Sequence, residues 1–124
     1  MAPAQPVTAD AFFAEAPPVA RLVFDRLRTL VEELGPCTVR ITRSQVAFRR
    51  TRGFAYLWVP GQYLARPQAP VVVSIALDHQ LTSPRFKEVV EPSPGHWMHH
   101  LEVRDPDDLD DKVVGWLTEA AARA

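Results

Sequence analysis

At 124 residues, 47% of them apolar and 23% charged, with a formal charge of −1, the chain fits one globular domain. Folding at this length buries roughly two-thirds of the surface of the unfolded chain, enough for a self-sufficient core. The near-neutral charge gives no global pull toward nucleic acid or membrane, and no apolar run approaches the roughly 20 residues of a membrane span.

The opening MAPAQPVTAD has neither a basic region nor a long apolar run, which argues against a secretion signal. Residues 1–10 are expected as a flexible tail and residues 11–124 as a single domain. Thr8 or Asp10 can cap a short helix carrying Phe12 and Phe13. Pro17 and Pro18 suit a first helical turn, and Val23, Leu27, Leu30 and Leu34 recur at helical spacing up to Gly35-Pro36. Cys37, the only cysteine, excludes an internal disulfide and makes a cytosolic location the expectation. It reads as a small buried hydrophobe opening a strand rather than a catalytic thiolate.

TVRIT and QVAFRR alternate as strands. A reversal near Arg43-Ser44 pairs Thr42 with Gln45, Ile41 with Val46 and Val39 with Phe48. A second reversal at Thr51-Arg52-Gly53 pairs Phe48 with Tyr56 and Val46 with Trp58. The predicted core face then carries Val39, Ile41, Val46, Phe48, Phe54, Tyr56 and Trp58. The predicted opposite face carries Thr38, Arg40, Thr42, Gln45, Ala47 and Arg49, then Ala55, Leu57 and Val59.

PGQYLARPQAP reads as a loop and VVVSIAL as a buried strand. In SPRFKEVVEP, Ser83 caps and Pro84 begins a short helical turn that Pro92 closes. HWMHHLEV alternates as a strand, with Met98, His100 and Glu102 on one side. Asp105 caps a last helix with Pro106 in its first position and a stripe of Leu109, Val113, Trp116, Leu117 and Ala120. Strands grouped between terminal helices predict an α+β single domain, with a mostly antiparallel sheet of about five strands packed by N- and C-terminal helices.

The blocks TRSQVAFRR, FAYLWVP, SPRFKEVVEP, GHWMHHLEV and LDDKVVGWL, in that order, resemble the bacterial family catalogued as domain of unknown function 5655. The likeness covers roughly residues 12 to 120, with Arg43 standing where the family often has Lys. The resemblance implies a fold and carries over no catalytic residue, because the family has no established activity. Its members occur alone or fused to other domains, which implies an interaction or ligand-binding module.

Between residues 35 and 77 there is no Asp or Glu, whereas Arg40, Arg43, Arg49, Arg50, Arg52 and Arg66 fall there. One reading is that the basic hairpins partly neutralise the acidic segment 102–111 across the fold. The sharper reading uses the pleat: Arg40 and Arg49 share a face with Thr42 and Gln45, near Arg43, and guanidinium forks beside hydroxyl and amide groups suit a phosphate or carboxylate. Nucleic acid fits less well, because the aromatic residues are expected on the other face; no strong DNA or RNA binding and no membrane binding are expected.

His99 and His100 face opposite sides of a strand and cannot readily chelate one ion, so no metal and no cofactor are expected. His99 reads as a histidine at the edge of the core, held by a hydrogen bond. No P-loop, GxGxxG, HExxH or CxxC pattern is present. The leading expectation is a non-enzymatic module that binds a partner protein or small anionic ligand through Arg40, Arg49, Gln45, Thr42 and Arg43, with His100 and Glu102 nearby. The alternative is a small enzyme of unknown class using a cluster of His100, Glu102 and an arginine.

Overall fold

A computed structural model of the protein describes residues 5–124. The side chain of Thr8 accepts the N–H of Ala11 at 3.0 Å and starts helix α1 (Ala9–Phe13), whose Phe12 and Phe13 are buried. The chain joins the fold earlier than the expected start at residue 11: the Val7 N–H donates to Ile41 O at 2.8 Å, beside the sheet edge. Residues 1–4 of the expected tail lie outside the described residues.

Helix α2 (Pro18–Glu33) opens on a proline, where a missing N–H costs little. Its buried stripe is Val23, Phe24, Leu27, Leu30 and Val31. Gly35 ends it at φ +127°, a conformation that L side chains rarely adopt.

Six antiparallel strands follow: β1 (Thr38–Ile41), β2 (Val46–Arg49), β3 (Gly53–Trp58), β4 (Val71–Leu77), β5 (Phe86–Ser93) and β6 (His96–Val103). They form one sheet in the order β1-β2-β3-β4-β6-β5. The strand beyond the five expected is β5, whose segment the sequence reading took for a helical turn. Phe86 and Val89 pair with Leu101 and His99, while two register shifts break the alternation that marks a strand. Pro92 is tolerated because β5 is an edge strand. Its exposed Lys87, Glu88 and Glu91 discourage a further strand from pairing there.

The first hairpin has the expected register, with Val39 opposite Phe48 and Ile41 opposite Val46. The second is displaced by one residue: Val46 pairs with Leu57, Ala47 with Tyr56 and Phe48 with Ala55, after which the register shifts and Arg49 pairs with Gly53. Phe54 is the extra residue at this bulge, and Phe54 and Ala55 are both wholly buried in the core. The bulge therefore keeps Phe54 inside while Ala55, Leu57 and Val59 join it, and Tyr56 and Trp58 turn to the opposite face. This reverses the faces predicted for all of β3 after Phe54.

The acidic segment forms two starts instead of one. Asp105 caps a short 3-10 turn (Pro106–Asp108) through a reciprocal capping box with Asp108. Asp110 then caps helix α3 (Asp111–Arg123), accepting the Val113 N–H at 3.2 Å. The helices pack with Val46, Phe48, Leu57, Val73, Ile75 and Leu101 in one core. Among the described residues no α-helix packs on the other face of the sheet.

Candidate functional site

One residue from each strand lines up across the helix-free face. Arg40 pairs with Ala47, Ala47 with Tyr56, Tyr56 with Ser74, Ser74 with His100, and His100 with Glu88. Trp58, Val72 and Glu102 form part of the next row. The small residues Ala47, Val72, Ser74 and Ala76 are buried without any helix above them, because larger cross-strand neighbours such as Tyr56, Trp58, Met98 and His100 close over them. The β1–β2 end carries Arg40 and Arg49, and at the β5–β6 end Glu88 and Glu102 stand beside Lys87 and Arg104.

Its centre is a hydrogen-bonded trio. The indole N–H of Trp58 donates to Ser74 Oγ at 3.3 Å, and Ser74 Oγ lies 2.6 Å from His100 Nδ1. Ser74 Oγ accepts from Trp58 and shares one further proton with His100 Nδ1, the direction of that bond following the imidazole tautomer. Burial lowers the pKa of His100 below the usual histidine range; Glu88 opposes that shift, and Lys87 and His99 add to it. His100 is therefore a neutral imidazole, oriented from beneath. Ser74, only 2% exposed, is a positioning group and not an accessible nucleophile.

The expected site residues divide. Arg40 and Arg49 are exposed on the same face, near Thr38, as the pleat requires. Thr42 is spent in the turn: it is 8% exposed, and its hydroxyl lies 3.3 Å from both Ser44 Oγ and Gln45 O. Gln45 is half-buried beside it. Arg43 leaves the group and helps to line a cavity of about 700 Å³ with Val7, Phe12, Glu15, Val59 and Gln62. His100 and Glu102 share the arginine face but not the arginine neighbourhood. His100 stands four strands from Arg40 in the sheet order, roughly 19 Å at the usual strand spacing. Glu102 lies 3.7 Å from Arg104.

The hairpin arginines do not meet the acidic helix start. Arg50 donates to Leu34 O at 2.7 Å and to Ala121 O at 3.1 Å, bridging the C-terminal ends of α2 and α3. Arg52 donates to Arg123 O at 3.2 Å. These carbonyls are the electronegative ends of the helices. The acidic start is held instead by Arg85, whose guanidinium reaches Asp110 at 2.9 Å and Asp108 O at 2.8 Å.

His99 is wholly buried; its Nδ1 lies 3.1 Å from Ile75 O, and its Nε2 accepts the Leu81 N–H at 2.9 Å. Burial lowers its pKa. Cys37 is half-buried rather than fully buried, and burial, then Glu32, pushes its thiol up, away from the reactive thiolate. Among the described residues no cluster of His, Cys, Asp and Glu could hold a metal ion, and no helix is long and apolar enough to cross a membrane.

Tyr56, Trp58 and Ser74 are the residues that sequence reasoning missed. The available signal was Ser74, the one polar residue in the buried run VVVSIAL. The expectation about nucleic acid also loses its premise, since Tyr56 and Trp58 stand on the Arg40 face.

A family model described as "Domain of unknown function (DUF5655)" matches residues 9–121. The chain belongs to this family. No curated protein and no solved structure matches it. In this DUF5655 chain the matched span includes the whole sheet, and with it every residue of the cross-strand row.

Proposed function

We propose that the protein acts by binding, and that the helix-free face of the sheet is where it binds. The observation behind this reading is the in-register row from Arg40 through Tyr56, Ser74 and His100 to Glu88 on the one sheet face without a helix. Arg40 and Arg49 offer guanidinium forks to a carboxylate or phosphate. Tyr56 and Trp58 offer apolar rings with polar edges, the side-chain types enriched at contact surfaces. The occupant is a partner protein or a small anionic ligand anchored at the basic end, and the cytoplasm is the proposed location.

The second reading, a small enzyme, draws on one feature: Ser74 holds His100 neutral and oriented, as a general base requires. It has less support, because Arg40 stands four strands from His100, too far to share a small substrate with it.

Titration of the ¹⁵N-labelled protein with phosphates, nucleotides and carboxylates tests the binding reading. Saturable shifts should appear on β1–β3 and disappear in an Arg40→Ala/Arg49→Ala variant. If the wild-type spectrum stays unchanged throughout, the small-ligand version is lost.

A further inference from the structure

The occupant of the helix-free face can be narrowed, in a step that rests on the binding reading above. We propose that the partner is a second copy of this chain, docked sheet to sheet about a two-fold axis that runs parallel to the strands between β3 and β4.

Charge selects this arrangement. The row begins at Arg40 on β1 and ends at Glu88 on β5. Lys87 next to Glu88 and Arg104 3.7 Å from Glu102 offset the other acids there, so the complementarity is carried by Arg40 and Glu88 themselves. A two-fold axis along the strands reverses the strand order of the second sheet, so β1 of one copy lies over β5 of the other. Each Arg40 then faces a Glu88, and each Tyr56 faces a Ser74 near the axis. An axis perpendicular to the strands would instead stack Arg40 on Arg40 and Glu88 on Glu88. The contact is isologous and closes as a dimer.

The middle of the face fits such a contact. Tyr56, Trp58 and Met98 are half-buried, and Val90 is exposed at the β5–β6 end. Facing sheets pack about 10 Å apart through interdigitating side chains. Six strands at the usual spacing, each contributing about six residues, present about 600 Å² per copy, or about 1,200 Å² in total, the lower limit for a specific interface. The dimer is therefore expected to be weak and concentration-dependent. Nucleic acid fits less well: aromatic rings beside Arg40 suit stacked bases, but Glu88 and Glu102 would repel a phosphate backbone crossing the same face.

Sedimentation equilibrium of the full chain from about 1 µM to about 1 mM, the affinity range open to so small an interface, reads the association directly. The variants are Arg40→Glu and Glu88→Lys, each of which puts like charges at positions 40 and 88, opposite one another in its own dimer. Both positions are exposed, and circular dichroism with urea unfolding checks that each variant folds. The wild type should dimerise, each variant alone should associate at least tenfold more weakly, and an equimolar mixture of the two should restore a 1:1 dimer. Variants that dimerise like the wild type, with no preference in the mixture, would place the contact elsewhere and overturn the proposal. A wild type that stays monomeric also overturns it. If the Trp58 indole signal of that monomer shifts with a phosphate, a carboxylate or a single-stranded oligonucleotide, the binding face stands with a different occupant. If nothing shifts it, both readings fail.

Discussion

Ser74 Oγ and His100 Nδ1 lie 2.6 Å apart on neighbouring strands, and Trp58 closes the trio from the other side at 3.3 Å. Ser74→Ala leaves an indole N–H and an imidazole nitrogen without their shared partner. Leaving such groups unpaired costs about 1–3 kcal/mol, and urea unfolding should show a loss in that range. The ¹⁵N shifts of His100 should also move from the tautomer that Ser74 favours toward a mixture. Unchanged shifts would mean that Ser74 does not orient the ring.

His99 sets an acid limit on stability. Its Nδ1–H donates to Ile75 O and its Nε2 accepts from Leu81, so the neutral ring satisfies both partners. A second proton would point at the Leu81 N–H and bury a charge. The folded pKa is therefore depressed, and the unfolded chain binds more protons between the two values. The stabilisation is present above about 6.5, the ordinary histidine value, and is lost as pH falls toward the folded value. His100 acts in the same direction. His79, held by Asp78, has the opposite sign but is exposed. Unfolding free energies measured between pH 8 and pH 5 should fall, and His99→Gln should flatten part of that slope. An identical slope in the variant would assign the effect to other groups.

The first hairpin was legible because matching apolar faces admit one register, and chain reversal at Arg43-Ser44 supplies it. The second was not, because alternation places residues on faces but does not reveal a bulge. One extra residue at Phe54 kept that ring in the core and turned Tyr56 and Trp58 outward. The same error hid the candidate site, since aromatic residues in a strand read first as core. β5 was lost for a related reason: its register shifts break the period of two in a charged edge strand. The roles of Arg50 and Arg52 were out of reach, because a sequence shows which charges exist but not which helix ends they meet.

Gly35 and Arg50 form a coupled clamp. Gly35 has φ +127°, and a Cβ added there would lie 2.9 Å from Arg50 Nη2. Gly35→Ala therefore meets both backbone strain and the guanidinium, with an expected loss of about 1–3 kcal/mol. In an Arg50→Ala background the steric part disappears, so the double variant should lose less than the sum of the two single losses. A double-mutant cycle by chemical denaturation measures this, and strict additivity would show that the contact has no energetic weight.

Arg50 is expected to be the most costly arginine to remove. Its two nitrogens reach Leu34 O at 2.7 Å and Ala121 O at 3.1 Å, tying the C-terminal end of α2 to that of α3, where Ala121 O also accepts the Ala124 N–H at 3.2 Å. Hydrogen bonds from a charged donor contribute about 1.5–3 kcal/mol each, so Arg50→Ala should destabilise the fold by about 3 kcal/mol or more. Arg50→Lys keeps the charge but replaces the planar fork with a single ammonium, which cannot span both carbonyls. It should recover less than half of the loss. Arg40→Ala and Arg49→Ala, at exposed positions, should each cost about 1 kcal/mol or less. Thermal and urea unfolding of the four variants separate these roles. Should Arg50→Ala prove as mild as Arg40→Ala, the bridge between the helix ends would be a geometric contact without energetic consequence.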